Sequence, residues 1–353
     1  MKFAAAFACV VMAGIGSPAA AQEFRIGVID FYGLHKLSAE ELRPKLAFAE
    51  GDVISFDDEK KWGESIERTQ GQLTGLAGVR SARVNTVCCV EGQVVIFVGI
   101  EEQGARHLRF RKPPKGAVRL PPEVVASGAE FDQALLPAVT RGDTQEDHKN
   151  GHSISHAPEL KRIQLQFVEY AQRYLPVLRN VLRESDDADQ RALAAQVIAY
   201  TSDKQAVVPD LVRAMRDPAE GVRNDATRTL LVFAAKDSLS GTPAINVPYE
   251  PFVALLSSPI WTDRNKSSGA LDSLTLTRDP KLLRLLRREA FAPLSEMARW
   301  KVSGYPDSPR RMLGRIAGYS EGEIASAIKS GRQEELIAAA ASSRKHPAAT
   351  DSQ

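Results

Sequence analysis

The sequence predicts an α+β fold class, in which a small β-α-α-β-β module is followed by an all-α solenoid of helical repeats. β-rich runs flank two amphipathic segments between residues 22 and 103. The segment LPVLRNVL at 175–182 recurs as VPDLVRAM at 208–215, with a proline at the same place. Such recurrence predicts stacked helix pairs, because a single pair cannot bury its apolar stripe alone. We expect the module at 22–103, a Pro-rich basic linker region with one helix and a polar loop at 104–158, and the repeats at 159–341.

The first 21 residues have the pattern of a cleavable export signal. Lys2 supplies a positive charge, residues 3–15 form an apolar run, and small residues end at Ala21. The apolar run is too short to cross a bilayer, which needs about 20 residues. We therefore expect cleavage near Ala21, a mature chain beginning at Gln22, and a periplasmic or secreted location.

The composition restricts the classes of partner. Lys plus Arg number 46 and Asp plus Glu number 44. The charges are nearly balanced, so the composition does not indicate a nucleic-acid partner. No later segment offers a long uncharged apolar run, so we expect no transmembrane segment. Association with the cell envelope and the oligomeric state stay open.

The elements of the module follow from local signals. A β-rich run, FRIGVIDF at 24–31, precedes Ser38 and Glu41, which form a capping box for a helix that Pro44 makes short or irregular. A second helix, capped by Asp57, carries apolar residues at helical spacing. Two β-rich runs, from Val79 to Val90 and from Val94 to Ile100, are separated by Glu91-Gly92, which predicts a hairpin.

This order resembles the polypeptide-transport-associated (POTRA) domain of outer-membrane assembly and two-partner secretion proteins. The matching features are the strand ending at Gly33, the turn Glu50-Gly51-Asp52, the segment LAGV at 76–79 and the closing strand into Glu101-Glu102. The resemblance implies a small sheet with a free edge that can accept a strand of a client protein. The alternative is that the module packs on its neighbour in the chain.

The linker region has a basic part and a histidine-containing part. Prolines at 113, 114, 121 and 122 exclude regular helix from the basic segment 104–122. We expect this segment to be a solvated linker, and the alternative is contact with anionic lipid, lipopolysaccharide or nucleic acid. Residues 122–141 can form an amphipathic helix.

His148, His152 and His156 would align on a helix as a zinc site, but Gly151 and Pro158 disfavour that helix. Two interpretations of this segment therefore remain, a polar loop and an irregular metal site.

The repeats carry a recognisable turn. Asp217-Pro218 is followed by Val222-Arg223 and Ala226, and this pattern resembles the HEAT repeat and the HEAT-like repeats of phycobilisome lyases. The resemblance implies that Arg223 supports the turn and the stack, with Arg191 and Arg264 in similar places. The apolar spacing places Val222 and Leu230 inside, and we expect Trp300 in the core. Residues 342–353 are polar, and we expect a disordered tail.

A solenoid presents a continuous surface that typically binds proteins or peptides. We therefore expect a non-catalytic scaffold without cofactor or metal, whose partner is a protein or peptide. The second helices should expose the residues that contact this partner, and the candidates are Asn224, Asp225, Arg228, Arg264 and Lys266.

The alternative is a metal-dependent or thiol-based enzyme of the envelope. It would use the loop of His148, His152 and His156, or the neighbouring thiols Cys88 and Cys89. The chain lacks a phosphate-binding loop, a G-x-S-x-G elbow and an H-E-x-x-H motif, and adjacent cysteines lack the spacing of redox proteins. The two thiols are either reduced or joined in a vicinal or intermolecular disulfide.

Overall fold

A computed structural model of the 353-residue chain describes residues 23–55, 59–90, 92–105, 107–240 and 245–342. The export signal and the tail beyond Ser342 lie outside the described residues, as do Asp57, Glu91 and Arg106. Within the described ranges, no helix is long and apolar enough to span a bilayer.

The N-terminal module is a four-stranded sheet with helices on one face. Its elements are β1 (Glu23–Tyr32), α1 (Ala39–Leu42) with a 3₁₀ turn (Arg43–Lys45), β2 (Val53–Ser55), α2 (Glu59–Thr74), β3 (Val79–Val90) and β4 (Gln93–Glu102). The strand order is β2-β1-β4-β3; β1 runs parallel to β4, and the other neighbours are antiparallel. The sequence predicted three strands, and the three-residue β2 was too short to show a pattern.

The local signals at the first helix are confirmed. The Ser38 side chain accepts a hydrogen bond from the Glu41 backbone N–H, and the Glu41 carboxylate accepts one from the Ser38 N–H at 2.8 Å. The helix is only four residues long because Pro44 follows at once within the 3₁₀ turn.

The central strand β4 is apolar on both faces. Ile96 and Val98 face a core shared with α1 and α2, whereas Val95 and Phe97 belong to the core of the helical array. All four side chains are at most 2% exposed. Successive residues of a strand point to opposite faces. The sheet is therefore enclosed between its own helices and the array, and the module packs directly on its neighbour.

The linker region is ordered against the array. It contains α3 (Pro122–Thr140), the two-residue strands β5 (Glu146–Asp147) and β6 (Ile154–Ser155), and then α4 (Pro158–Arg173). We call residues 107–121 the strap, since this extended segment crosses the turns of the first two repeats. Arg111 N–H donates to the Arg216 carbonyl at 2.7 Å, and Gly116 N–H donates to the Glu184 carbonyl at 2.8 Å. The expectation of a solvated linker is wrong, because these backbone groups pair with the turns.

The rest of the described chain is helical. The helices are α5 (Leu175–Glu184), α6 (Ala188–Val197), α7 (Lys204–Ala214), α8 (Glu220–Ser240), α9 (Glu250–Leu255), α10 (Trp261–Leu274), α11 (Pro280–Glu289), α12 (Phe291–Met297), α13 (Asp307–Ala317), α14 (Glu321–Lys329) and α15 (Gln333–Ser342). The first three pairs are α5–α6, α7–α8 and α9–α10. Second helix packs on second helix from α6 to α8 to α10 and on to α13. Val222, Leu230 and Trp300 are buried, as predicted.

One arginine in each of the three pairs makes the same contact at the turn. The guanidiniums of Arg191, Arg223 and Arg264 each donate to the carbonyl six residues earlier, at 2.9, 3.0 and 2.6 Å. Each also donates to a carboxylate of a later unit: Asp217, Asp263 and Glu296, respectively. These arginines are at most 3% exposed. The structural role expected for Arg223 is therefore confirmed, and it is repeated from pair to pair.

Candidate functional site

The turn edge of the array is covered by the chain itself. The strap crosses the turns of the first two pairs. The sheet covers the next turns, where the Tyr32 hydroxyl donates to the Pro259 carbonyl at 2.9 Å and Gly33 N–H donates to Glu296 at 2.6 Å. Phe97 lies 5.4 Å from the Trp261 ring. The turns of the first three pairs are therefore covered, which leaves the helix faces of these pairs as candidate recognition surface.

Four of the five predicted contact residues lie together on the second-helix face. Asn224, Asp225 and Arg228 are on α8 and Lys266 is on α10, and all four are half-buried. The repeated arginine fixes their register, because Asp225 and Lys266 each follow it by two positions. Equivalent positions on neighbouring helices thus carry a carboxylate and an ammonium group.

Arg264 has a different environment from the other four. It is 3% exposed, and its guanidinium donates to the Ser258 carbonyl and to Glu296 and lies 4.5 Å from the Tyr32 ring. Its expected place on the recognition surface is corrected, because this side chain joins the third turn to the sheet and leaves almost no surface for a partner.

The small β5–β6 hairpin docks at one side of this face. Arg228 Nη2 donates to both carboxylate oxygens of Glu146 at 2.5 Å, and His148 Nε2 lies 3.1 Å from Glu146 Oε2. Burial favours the neutral acid, but the hydrogen bond from His148 and the charge of Arg228 outweigh it and lower the Glu146 pKa to about 2. The Tyr200 hydroxyl donates to the Ser153 carbonyl. Arg228 is therefore already engaged by the chain.

Asp225 and Lys266 are left without an ion-pair partner among the described residues. The one hydrogen bond to the Asp225 carboxylate comes from the neighbouring Asn224 side chain, at 3.0 Å. Burial raises the Asp225 pKa to about 7, and burial together with the charge of Arg228 lowers the Lys266 pKa to about 8. Removal from water thus destabilises both charged forms, and the charge that each feels from the other offsets this only in part. Perturbed, unpaired groups of this kind indicate a candidate binding site.

The histidine loop does not assemble a metal site. His148 contacts Glu146, His152 is buried against Tyr200 and lies 3.1 Å from Lys204 Nζ, and His156 is exposed. Across the described ranges, no three His, Cys, Asp or Glu side chains are placed to hold a metal ion. The backbone of Cys88 and Cys89 lies in β3, and their side chains are outside the description.

Sequence reasoning missed the contribution of the hairpin and of α3. Glu146 reaches Arg228 across 82 positions of the chain. Asp132 of α3 lies within electrostatic reach of Asp225. Neither residue belongs to a repeat, so no periodicity could have linked it to the site.

No protein-family model and no curated protein matches the chain. Among solved structures, the designed armadillo repeat protein YIII(Dq)4CqI is 14% identical, with a TM-score of 0.35 over 56% of this chain and 97% of the other. A designed armadillo repeat protein in complex with the peptide (KR)4 gives the same values. A third, computationally designed for modular peptide recognition, is 15% identical, with a TM-score of 0.33 over 53% and 94% of the two chains. These values are too low to establish a shared fold.

Proposed function

We propose that this protein is an exported, non-catalytic scaffold that binds a protein or peptide on its second-helix face, without a cofactor. The observation that carries the proposal is the half-buried Asp225 and Lys266, which have no ion-pair partner among the described residues. A partner that offers a cation to one and an acceptor to the other would recover the free energy that desolvation costs.

Peptides suit such a site because they carry donors and acceptors at regular spacing. Asn224 adds an amide beside Asp225, and α8 and α10 lie side by side. A rigid stack of helices holds these groups in place before binding, which lowers the entropy cost of association. Since Arg228 is engaged with Glu146, we assign the main recognition role to Asp225 and Lys266.

The test compares Lys266→Met with Lys281→Met. Lys281 is exposed on α11, far along the array in sequence, so the control removes one ammonium group without touching the proposed site. Purified full-length variants serve as bait for cross-linked capture from envelope extract, and captured bands are identified by mass spectrometry. We expect Lys266→Met to lose the specific bands and Lys281→Met to retain them, with equal far-UV circular dichroism. Equal capture by both variants would contradict the proposal.

The variant Asp225→Asn provides an independent test of the same site. It keeps the shape and a hydrogen-bonding group but removes the carboxylate that burial destabilises. We expect capture to weaken as with Lys266→Met, because the partner would no longer find a counter-charge. If only the Lys266 change has an effect, the site recognises a single anion rather than a pair of charges.

Export is part of the proposal, and its support is the signal pattern at the N-terminus. N-terminal sequencing of protein purified from its native host should find Gln22, or a residue within one or two positions of it, at the first cycle. Retention of Met1 would exclude cleavage.

The POTRA resemblance remains a proposal for the module, supported by a sheet with a helix pair on one face. Strand addition would use the edge of β3. There, the Val84 N–H already donates to the Gln70 side chain of α2 at 3.0 Å. The other face of the sheet is buried against the array. We therefore assign the module mainly to covering the turns, and partner binding to the helices.

A further inference from the structure

A second charged region lies on the first-helix side of the array, away from the site proposed above. Two buried carboxylates are each shared by two arginines. Asp210 accepts from Arg179 and Arg183, and Asp217 accepts from Arg191 and from Arg111 of the strap. One carboxylate neutralises one guanidinium, so each cluster keeps a surplus positive charge.

A cleft opens between the strap and α7 beside the Asp217 cluster. It measures about 380 Å³ and is lined by Arg111, Pro209, Val212, Arg213 and Arg216. Pro209, Val212 and Arg213 are spaced as neighbours on one face of α7, and Arg216 follows in the turn after the helix ends at Ala214. Pro209 and Val212 supply an apolar surface between the guanidiniums.

The arginines of the cleft have unused donors. The side chains of Arg213 and Arg216 are exposed and have no hydrogen-bond or ion-pair partner among the described residues. Arg111 Nε is buried and lacks a hydrogen-bond partner, although its Nη2 contacts Asp217. Burial lowers the Arg111 pKa, and the charges of Arg191 and Arg213 add to this effect. A buried donor without an acceptor is costly, and an anion in the cleft would reduce that cost.

We propose that this cleft binds the carboxylate side chain of an acidic peptide segment from a partner protein. The guanidinium groups present forked donors that fit a carboxylate in bidentate fashion. The apolar surface of Pro209 and Val212 accommodates a neighbouring apolar side chain of the same peptide, which a simple phosphate group lacks. The cleft lies on the first helices, so this interaction is separate from binding at Asp225 and Lys266.

The test uses full-length protein and a fluorescein-labelled peptide that alternates glutamate with leucine. The variant is Arg213→Glu with Arg216→Glu. The matched control is Arg284→Glu with Arg287→Glu, which makes the same charge change on α11. Neither of these two arginines has an ion-pair partner among the described residues. Fluorescence anisotropy measures the Kd, and far-UV circular dichroism checks that each variant is folded.

We expect the cleft variant to raise the Kd for the peptide about tenfold or more, and the control variant to change this Kd less than about twofold. Added salt should raise the Kd of the wild type. Equal losses in both variants would overturn the proposal, because they would show only general charge attraction. Binding of inorganic phosphate or of anionic phospholipid vesicles in preference to the peptide would also overturn it. If the peptide does not bind the wild type, the proposal that this cleft binds an acidic peptide is refuted. The second-helix site is not affected by that result, because it has its own test.

Discussion

The sharpest prediction concerns the buried pair of Arg223 and Asp263. The Arg223 guanidinium donates to both Asp263 oxygens and to the carbonyls of Asp217 and Pro218, and it lies 4.0 Å from the Phe110 ring. Both charged side chains are at most 2% exposed. Asp263→Ala would leave a buried guanidinium without its counter-charge.

The magnitude follows from this geometry. Breaking a buried pair by removing one partner costs about 3–5 kcal/mol, because the remaining charge stays out of water. In an Arg223→Met background the same Asp263→Ala change should cost only about 1–2 kcal/mol, since the loss is then a hydrogen bond from Ser258 Oγ and some packing. The difference is a coupling free energy of about 1–4 kcal/mol, with a central value of about 2.5 kcal/mol.

The assay is urea denaturation followed by far-UV circular dichroism for the wild type, both single variants and the double variant. The control is the same cycle at Arg332 and Glu335, a pair whose side chains are 45% and 46% exposed. That exposed pair should show a coupling of about 0–1 kcal/mol. If the two cycles give equal coupling, the repeated arginine does not stabilise the stack in the way we infer.

Three further predictions test the docking of the module, the hairpin and the thiols. Phe97 is fully buried against Trp261 and Trp300, so Phe97→Ala should lower the free energy of unfolding by about 3–5 kcal/mol in urea denaturation; a loss below about 1 kcal/mol would mean that the module docks weakly. The Glu146 pKa is lowered from 4.5 to about 2, so the stabilisation that it gives is complete above pH 4.5 and is lost as pH falls towards 2. Hydrogen exchange of the hairpin should show this loss in the wild type, and a Glu146→Gln variant with the same pH profile would contradict it. Changing both Cys88 and Cys89 to Ser should leave the thermal midpoint nearly unchanged, whereas a drop equivalent to about 3 kcal/mol would indicate a structural disulfide.

Much of the local structure could be predicted because its signals lie within a few residues of one another. The capping box of Ser38 and Glu41 involves a separation of three positions. The helical spacing of Val222 and Leu230 identified an inward stripe, and both are fully buried. The recurrence of the turn also identified the structural arginines, since Arg191 and Arg223 bond to equivalent carbonyls.

The candidate site was less accessible to sequence reasoning. The pattern placed Asn224, Asp225, Arg228 and Lys266 on one face, but it also placed Arg264 there. Arg264 precedes Lys266 by two positions on α10, and two positions correspond to about 200° around a helix, so the two side chains point in different directions. The basic strap was expected to be solvated because a local basic run gives no indication of the distant carbonyls and carboxylates that receive it.

By itself the sequence determined the order of the longer strands and helices of the module, the recurrence of the helix pairs and the inward faces of the helices, because these depend on side-chain spacing and capping within one or two turns of chain. The tertiary structure alone decided what covers the turns, as in the contact between Tyr32 and Pro259, which are 227 positions apart. It also decided which charges are paired: Glu146 of β5 reaches Arg228 of α8, whereas Asp225 and Lys266 have no ion-pair partner among the described residues. Burial and ion pairing depend on the full three-dimensional surroundings of a group, and these surroundings exist only when distant segments pack together.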